Sequence, residues 1–237
     1  GKDLKDYFRD PYLVTTWWRP EEGRYAFWHE QEFRILDKYL KISPNWTVLD
    51  AACSQGRFAR YFAKKGCRVH AFDINAKMLQ IAKKRAIREG AADHIEFFEN
   101  DLETFSQNGR QYSLVTCMHA SDHIDYLKLA VQNLANPIKS GGHLIITYTS
   151  DESFYGLLRN LYTKFTYLKS DAQVDIGRTY KLNTFRQIFR DLGIEVESIF
   201  GIGLLMPPQE RIRFPLRLNH FFEFISMLDI ALIPYDK

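Results

Sequence analysis

The fold is decided by one stretch of the chain, Val48-Leu49-Asp50-Ala51-Ala52-Cys53-Ser54-Gln55-Gly56. The apolar run from Thr47 to Leu49 is typical of a short buried strand, and it ends at Asp50. Small residues and one glycine then form a turn. A helix is predicted after that turn and up to Gly66, because aromatic side chains recur at helical spacing: Phe58, Tyr61 and Phe62. The pattern therefore predicts strand, turn and helix.

The alternation of strand and helix continues along the chain. Asn75 is expected to cap the helix after the second strand, and Pro137 with Gly141-Gly142 to stop the helix after the fourth. The further predicted strands are Arg68–Phe72, Ile95–Phe98, Tyr112–Met118, His143–Thr149, Ile194–Phe200 and an antiparallel Ile230–Ile233. This order predicts the α/β class, as a Rossmann-like, doubly wound, seven-stranded, mostly parallel sheet with helices on both faces and an N-terminal helical cover.

Composition and charge limit the classes of function. A length of 237 residues with 46% hydrophobic side chains suits one folded domain, because disordered chains lack the apolar surface that offsets the entropy of ordering. The 32 basic and 29 acidic residues leave a net charge of +3. Such a balance gives no strong field of one sign, so we expect no nucleic-acid partner.

The cysteines and the apolar segments indicate a compartment. Cys53, Cys67 and Cys117 form no C-x-x-C pair and are odd in number, which favours a reducing cytoplasm. The first residues do not resemble a signal peptide, and no uninterrupted apolar run reaches the roughly 18 residues of a membrane span. We therefore expect a cytoplasmic protein without a transmembrane segment. Contact of the basic and apolar tail 211–237 with a membrane surface is a minor alternative.

Polar side chains follow the first three predicted strands. Asp50 ends the first strand, Asp73 ends the second, and Asn100-Asp101 follows the third. Ligands of open α/β sheets bind outside the carboxyl ends of the strands. The dinucleotide pattern G-x-G-x-x-G is missing, because positions 52, 54 and 57 are Ala, Ser and Arg. This edge suits a ligand with ribose hydroxyls and a positive charge but no phosphate, and helix capping is the structural alternative for the two aspartates.

These motifs resemble class I S-adenosylmethionine-dependent methyltransferases from about residue 46 to 200. Residues 48–56 resemble the first motif of that family, Asp73 its ribose acid, and Asn100-Asp101-Leu102 its adenine segment. Tyr112–Met118 and Ser140–Ile146 resemble its fourth and fifth strands. The resemblance implies S-adenosylmethionine as cofactor and S-adenosylhomocysteine as product. The cofactor-binding residues that it implies are Asp50, Ala52, Cys53, Ser54, Gly56, Asp73, Ile74, Met78, Asn100, Asp101, Leu102, Cys117 and Met118.

The chain departs from the family at two positions of the turn. Ala52 and Ser54 stand where the family usually has glycine. Both side chains are small, so we expect cofactor binding to survive the exchange. A positive φ at Ser54 would strain the backbone, because only glycine adopts that conformation freely. A protein that binds the cofactor without methylating anything therefore stays an alternative.

Two histidines, His119 and His123, follow the fourth predicted strand. Imidazole can take a proton from a hydroxyl acceptor near neutral pH, and a spacing of four at the start of a helix would turn both rings toward the ligand. The segment 117–123 also resembles that of ubiquinone-pathway O-methyltransferases. That likeness implies a divalent-metal site at His119, Asp122 and His123 as an alternative that we do not favour, since Ser121 or Asp122 can simply cap the helix.

Aromatic side chains concentrate in residues 1–45 and 151–180, which lie outside the strand and helix rhythm. Methyltransferases of this kind build substrate covers there, which implies a bulky, flat or apolar small molecule. The substrate candidates are Tyr25, Trp28, Tyr155, Arg178 and Tyr180. The expected organisation is a single methyltransferase domain, 1–237, made of an N-terminal cover (1–45), a cofactor-binding half (46–150), a substrate-cover insertion (151–180) and a C-terminal half (181–237).

The resemblance thus implies methyl transfer to a small-molecule acceptor, most naturally a hydroxyl, by in-line displacement with help from a histidine. The alternative from another class is an RNA methyltransferase. That activity needs a basic groove studded with aromatic side chains, whereas the chain offers only short basic runs such as Lys83-Lys84-Arg85. The sequence does not indicate an oligomeric state.

Overall fold

A computed structural model describes residues 4–10, 26–106, 108–152 and 178–201 of the chain. The chain divides into two compact units. The first unit holds residues 1–18 and 42–148, and the second holds residues 19–41 and 149–237. The candidate site lies in the first unit.

The first unit is built on a parallel sheet of five described strands. Their order across the sheet is β3-β2-β1-β4-β5, and every neighbouring pair is parallel. The strands are β1 (Thr47–Ala51), β2 (Arg68–Asp73), β3 (Ile95–Glu99), β4 (Tyr112–Cys117) and β5 (Ile138–Ile146). The Rossmann-like α/β architecture is therefore confirmed for these five strands.

Helices alternate with the strands as the periodicity predicts. Asn75 caps the helix after β2, because its side-chain oxygen accepts hydrogen bonds from the backbone N–H groups of Lys77 at 3.0 Å and Met78 at 3.1 Å. The chain's described helices are α1 (Leu4–Arg9), α2 (Ala26–Tyr39), α3 (Arg57–Lys64), α4 (Ala76–Arg88), α5 (Leu127–Ala135) and α6 (Leu182–Asp191). Of these, α2 and α6 belong to the second unit.

One apolar cluster fixes the strands of the first unit in place. The rings of Phe72 on β2 and Phe105 stack with centroids 4.8 Å apart, and Tyr112 on β4 is 1% exposed. The other buried members of the cluster are Leu49, Ala51, Val115, Cys117 and Leu134. Because β1, β2 and β4 all contribute to this cluster, their carboxyl ends are held side by side.

Strand β5 differs from its prediction at both ends. The predicted strand runs from His143 to Thr149, whereas the observed one starts at Ile138 and ends at Ile146. Tyr112 on β4 pairs with Ile138 on β5, and Leu114 pairs with His143. Two steps along β4 thus correspond to five steps along β5, which is a bulge in β5. The glycine pair 141–142, predicted to stop a helix, lies in this bulge, and Gly141 has a φ of 72°. Backbone pairing overrides the local turn signal here, because a bulge accommodates extra residues within a strand.

The second unit contains the helices α2 and α6 and a short parallel bridge between Ser150 and Tyr180. Phe185 and Ile188 are buried on α6, as the helical periodicity predicts. The prediction of a strand at Ile194–Phe200 is wrong, because these residues form neither helix nor strand. Its alternation of apolar and acidic residues suits a strand, but no strand among the described residues pairs with it. The strand predicted at Ile230–Ile233 lies outside the described residues.

The cysteines and the helices were expected to show no disulfide framework and no membrane span. Cys53, Cys67 and Cys117 are all free and buried. Within the ranges that the structure describes, no helix combines the length and the apolar character that crossing a bilayer requires.

Positions 52 and 56 in the turn after β1 differ in how strictly they require glycine. Ala52 has a φ of 55° and Gly56 a φ of 71°, so both adopt the left-handed conformation. A Cβ atom on Gly56 would lie 3.0 Å from the Cβ atom of Ala82 on α4 and 3.1 Å from the ring of Phe97 on β3. Glycine at position 56 is therefore required by packing as well as by φ.

We expect Gly56→Ala and Ala52→Gly to have different effects on stability. Gly56→Ala combines backbone strain with close contacts, and should lower the free energy of unfolding by about 1–3 kcal/mol. Ala52→Gly relieves strain of about 1–2 kcal/mol but gives the unfolded chain more freedom, so its net effect should lie within about 1 kcal/mol of zero. Urea unfolding of both variants measures this, and a Gly56→Ala protein as stable as the parent would contradict the prediction.

Candidate functional site

The candidate site lies at the carboxyl edge of the sheet, where β1 pairs with β2 on one side and β4 on the other. The chain order reverses between β1 and β4, and open α/β sheets bind ligands at such a switch point. The residues at the carboxyl ends of β1 and β2 and directly after β3 lie at this edge. Asp50, Asp73 and Asn100 are therefore brought together at one end of the sheet, as predicted.

Asp50 is a buried carboxylate that joins three elements. It is 1% exposed, and its Oδ1 accepts a hydrogen bond from the Thr116 hydroxyl on β4 at 3.0 Å. Its Oδ2 accepts one from the backbone N–H of Ala59 in the first turn of α3 at 2.9 Å. Burial raises the pKa of Asp50 to about 7. The helix-capping role that was the alternative for Asp50 is thus present in the structure.

Asp73 holds the turn that follows β1. Its Oδ2 accepts a hydrogen bond from the backbone N–H of Ser54 at 2.7 Å, and its Oδ1 accepts one from that of Asn75 at 2.9 Å. Burial raises the pKa of Asp73 to about 6, although these bonds favour the charged form. A carboxylate has about four lone-pair sites, so Asp73 can accept further hydrogen bonds from a ligand.

The turn itself has three left-handed residues at alternate positions. Ser54 has a φ of 48° and lies between Ala52 and Gly56, which share this conformation. The backbone N–H of Cys53 donates to the Phe72 carbonyl at 2.8 Å, and that of Gly56 donates to the Cys53 carbonyl at 2.8 Å. Ser54 therefore has the positive φ that would strain its backbone.

The predicted cofactor-binding residues near the ends of β2 and β4 differ in how exposed they are. Met78 on α4 and Cys117 at the end of β4 are each 1% exposed, while Ile74 and Met118 are partly exposed. Burial raises the pKa of the Cys117 thiol to about 12, and the pKa of the Cys53 thiol is raised by burial as well. Both thiols stay protonated at neutral pH, so they act by packing.

The segment after β3 carries a cluster of charged side chains that the sequence did not predict. Asp101 Oδ2 lies 2.8 Å from the Lys5 ammonium of α1, and Glu103 Oε2 lies 2.6 Å from the same ammonium. Glu103 Oε1 accepts hydrogen bonds from the backbone N–H groups of Asp125 at 2.9 Å and Tyr126 at 3.0 Å. Lys5 is 96 residues from Asp101, so no local sequence pattern signals the contact. Leu102 lies between the two acids and is partly exposed.

The two predicted bases lie after β4, but not on a helix. His119 has a φ of 59°, and its backbone N–H donates to the Thr147 hydroxyl at 2.7 Å. His123 ends a short 3₁₀ turn, Ser121–His123, and α5 begins only at Leu127. The expected helical spacing of the two rings is therefore wrong. Their segment lies at the same edge as the acids.

Residues 119–123 after β4 contact the N-terminal helix α1 but do not form the predicted metal site. The ring of His123 lies 4.4 Å from that of Phe8, centroid to centroid. Among the described residues, no group of three or more His, Cys, Asp or Glu side chains is arranged to hold a metal ion. The set His119, Asp122 and His123 is thus not gathered as a metal site.

The predicted substrate residues belong to other parts of the chain. Tyr25 and Tyr155 lie outside the described residues, and Trp28 lies in α2, where only its backbone is described. Arg178 is exposed, and the Tyr180 ring packs edge-on against Phe185 with centroids 5.6 Å apart, both within the second unit. Their role toward a substrate stays a prediction.

Sequence comparisons point to one family. The family described as "Methyltransferase domain" matches residues 48–142. The ubiquinone biosynthesis O-methyltransferase of Serratia proteamaculans (strain 568) is 31% identical over 139 residues, which cover 57% of this chain and 56% of that protein. The malonyl-[acyl-carrier protein] O-methyltransferase of Enterobacter lignolyticus (strain SCF1) is 37% identical over 106 residues, which cover 45% and 40%. The chain thus spans about half the length of the curated relatives that it matches.

Solved structures share the fold. The magnesium protoporphyrin IX methyltransferase of Synechocystis PCC 6803, with bound S-adenosylhomocysteine, aligns with a TM-score of 0.66 at 21% identity, over 84% of this chain and 91% of that one. A methyltransferase of Geobacter sulfurreducens in complex with S-adenosyl-L-homocysteine aligns with a TM-score of 0.55 at 17% identity, over 84% and 75%. At these identities the likeness concerns the fold alone.

The raised pKa values of Asp50 and Asp73 predict how stability depends on pH. An unfolded aspartate loses its proton near pH 3.8, whereas the folded protein keeps it up to about pH 7 at Asp50 and about pH 6 at Asp73. The native state therefore binds more protons in this window, and these two groups make the free energy of unfolding fall as pH rises, by at most about 1.4 kcal/mol per pH unit each.

Asp50→Asn should remove the contribution of Asp50. The amide oxygen can still accept from Ala59, and the Thr116 hydroxyl can donate to the Leu49 carbonyl, which lies 3.3 Å away. Urea unfolding between pH 4 and pH 8 should show the stability of the variant rising relative to the parent as pH increases to about 7. Parallel curves for the two proteins would contradict the assignment.

Sheet order, the acids at the strand ends and the sequence match coincide in the same part of the chain. Residues 48–142 include β1 without Thr47, β2 to β4, the turn and the acidic residues of the candidate site, and the first part of β5. Residues 48–142 of the chain therefore match a methyltransferase domain, and the fold is that of solved methyltransferases.

Proposed function

We propose that this protein binds S-adenosylmethionine at the carboxyl edge of the sheet and transfers its methyl group to an oxygen of a small molecule. The observation that carries the proposal is that Asp73, the turn 52–56 and the segment 100–102 lie together at the carboxyl edge of the sheet, within the residues that match a methyltransferase domain. The O-methyltransferase names of the curated relatives support oxygen as the acceptor atom.

The residues at the edge fit the parts of this cofactor. Asp73 has acceptor capacity left for ribose hydroxyls, and the turn 52–56 is built of small residues that allow close approach to the methionine end. Asn100, Asp101 and Leu102 are partly exposed at the tip of β3, where the adenine would lie. The remaining predicted contacts are Ala52, Cys53, Gly56, Ile74, Met78, Cys117 and Met118 around and beneath the turn, while Asp50 supports the site from below.

The N-terminal helix α1 is proposed to cover this edge. The Asn75 side-chain amide donates to the carbonyl of Phe8 at 2.7 Å, and the Phe8 ring contacts that of His123. Lys5 bonds to Asp101 at the tip of β3. One short helix thus contacts the segments after β2, β3 and β4, which supports the predicted cover. We extend the proposal to the antiparallel strand predicted at Ile230–Ile233, which lies outside the described residues, and to the predicted domain boundaries.

The chemistry needs little from the protein beyond placement and one proton. The cofactor supplies a methyl group on a positively charged sulfur, and the protein has to hold the acceptor oxygen in line with it. A hydroxyl acceptor must lose its proton, and His119 or His123 is proposed to take it. Positive φ at a residue other than glycine clusters at active sites, which favours His119 as part of the machinery.

The substrate side of the proposal rests on the sequence. Tyr25, Trp28, Tyr155, Arg178 and Tyr180 are proposed to line the acceptor pocket, with an apolar or flat small molecule as substrate and no nucleic acid. The three free, buried thiols support a cytoplasmic location.

Binding of S-adenosylhomocysteine tests the cofactor proposal directly. Isothermal titration calorimetry should detect a single site, and Asp73→Ala should weaken it by about 1–3 kcal/mol, a factor of roughly 5 to 140, because two ribose hydrogen bonds are lost. Asp93→Ala, at an exposed position, is the matched control. Because Asp73 also holds the turn, thermal unfolding must show that the variant is folded. No binding to the parent protein would end the proposal.

The role of His123 is tested by His123→Phe, which keeps an aromatic ring against Phe8 but removes the proton acceptor. Methyl transfer from labelled S-adenosylmethionine to a responsive acceptor from a panel of phenols and carboxylic acids should fall on the order of 100- to 10,000-fold, with cofactor affinity unchanged. His119→Phe is measured in parallel. Equal rates in the parent and His123→Phe proteins would remove His123 from the mechanism, and binding without any turnover would favour a non-methylating protein.

A further inference from the structure

Thr147, the residue directly after β5, is the centre of a group of hydrogen bonds that the proposed function does not use. Its backbone N–H donates to the Cys117 carbonyl at 3.2 Å. Its hydroxyl oxygen accepts from the backbone N–H of His119 at 2.7 Å, and its carbonyl accepts from the Ser121 hydroxyl at 2.7 Å. The N–H, the hydroxyl and the carbonyl of one residue thus all bond to the segment 117–121, which begins at the end of β4.

These bonds hold the segment in a shape that its own residues do not favour. His119 has a φ of 59°, which is uncommon for a residue with a Cβ atom. Such a conformation persists only where the surrounding structure determines it. The Thr147 hydroxyl binds the N–H of this very residue, and the side chain of Ser121, two residues on, is 1% exposed and bonds to the Thr147 carbonyl. Thr147 therefore fixes the backbone on both sides of Ala120.

The placement of His119 matters for the chemistry more than for the fold. The residue is partly exposed, so its ring contributes less to the core than the buried Ser121 does. A proton acceptor works only within hydrogen-bond reach of the proton that it takes. A displacement of about 1 Å can cost on the order of 100-fold in rate. A residue that fixes the backbone of a base can therefore control the rate without touching the substrate.

We propose that Thr147 is a positioning residue for methyl transfer, whose hydroxyl holds His119 in the left-handed conformation that places the imidazole at the acceptor. This inference rests on the proposed function and names His119 as the histidine whose placement the reaction needs. Within the described part of the chain, the hydrogen bonds of Thr147 reach neither Asp73 nor the turn 52–56. Cofactor affinity should therefore not depend on this hydroxyl.

The test uses variants of the full chain. Thr147→Val keeps the shape of the side chain and removes the hydroxyl, Thr147→Ser keeps the hydroxyl, and Thr47→Val makes the same exchange at the start of β1 as a control. Thr147→Val should lower the kcat of methyl transfer to the responsive acceptor roughly 10- to 100-fold, with calorimetric affinity for S-adenosylhomocysteine within about twofold of the parent's. Thr147→Ser should keep kcat within about threefold of the parent's, and Thr47→Val should change neither quantity. Thr147→Ala replaces Thr147→Val if thermal unfolding shows that the valine variant is not folded.

Two further measurements show whether the effect passes through His119. In the His119→Phe background, Thr147→Val should cause no additional loss of kcat, because the two residues act as one unit. In NMR spectra the imidazole resonance of His119, assigned by its absence from His119→Phe, should move in Thr147→Val and stay in place in Thr147→Ser.

Four results overturn the proposal: full activity of Thr147→Val, equal losses in Thr147→Val and Thr147→Ser, an additive loss in the double variant, or an unmoved imidazole resonance. A parent protein that does not bind S-adenosylhomocysteine, or that binds it and methylates no acceptor, overturns the proposed function and this inference with it. That result is distinct from the other four, because it is seen in the parent protein before any variant is made.

Discussion

The buried carboxylate of Asp50 is the interaction on which the site depends. One of its oxygens bonds to Thr116 on β4 and the other to the first turn of α3, so a single side chain fixes the relation of β1 to two neighbours. An unpaired charge in the interior would be costly, and the two bonds together with a raised pKa reduce that cost. Because β1 and β4 flank the switch point, their alignment decides where the turn and the histidine segment lie.

Asp73 extends this arrangement from the strands to the turn. Its carboxylate accepts from Ser54 on one side and from Asn75 on the other, and Asn75 in turn caps α4 and bonds to the Phe8 carbonyl. A chain of hydrogen bonds thus connects the turn, β2, α4 and the N-terminal helix. Substitution of one member disturbs its neighbours, so effects on ligand binding at this edge have to be separated from effects on its shape.

Local patterns in the sequence predicted most of the first unit. The strands β1 to β4 and the cap at Asn75 follow from short apolar runs and from a residue type, and both are properties of neighbouring positions. The contact of Lys5 with Asp101 and Glu103 could not be predicted in this way, because it joins residues far apart in the chain. The prediction of where β5 begins was wrong for a related reason. The N–H of Tyr112 on β4 donates to the carbonyl of Pro137 at 2.8 Å, so the strand begins before the glycine pair 141–142.

The turn shows why a family likeness can survive the loss of two glycines. At Ala52 and Ser54 the left-handed backbone is imposed from outside, by the bonds of Cys53 to the Phe72 carbonyl and of Ser54 to Asp73. A Cβ atom at either position raises the energy of the left-handed conformation. At Gly56 the obstacle is different, because the space for a Cβ atom is already taken by Ala82 and Phe97. Glycine is thus an energetic preference at the first two positions and a steric requirement at the third, which explains which of the three this chain retains.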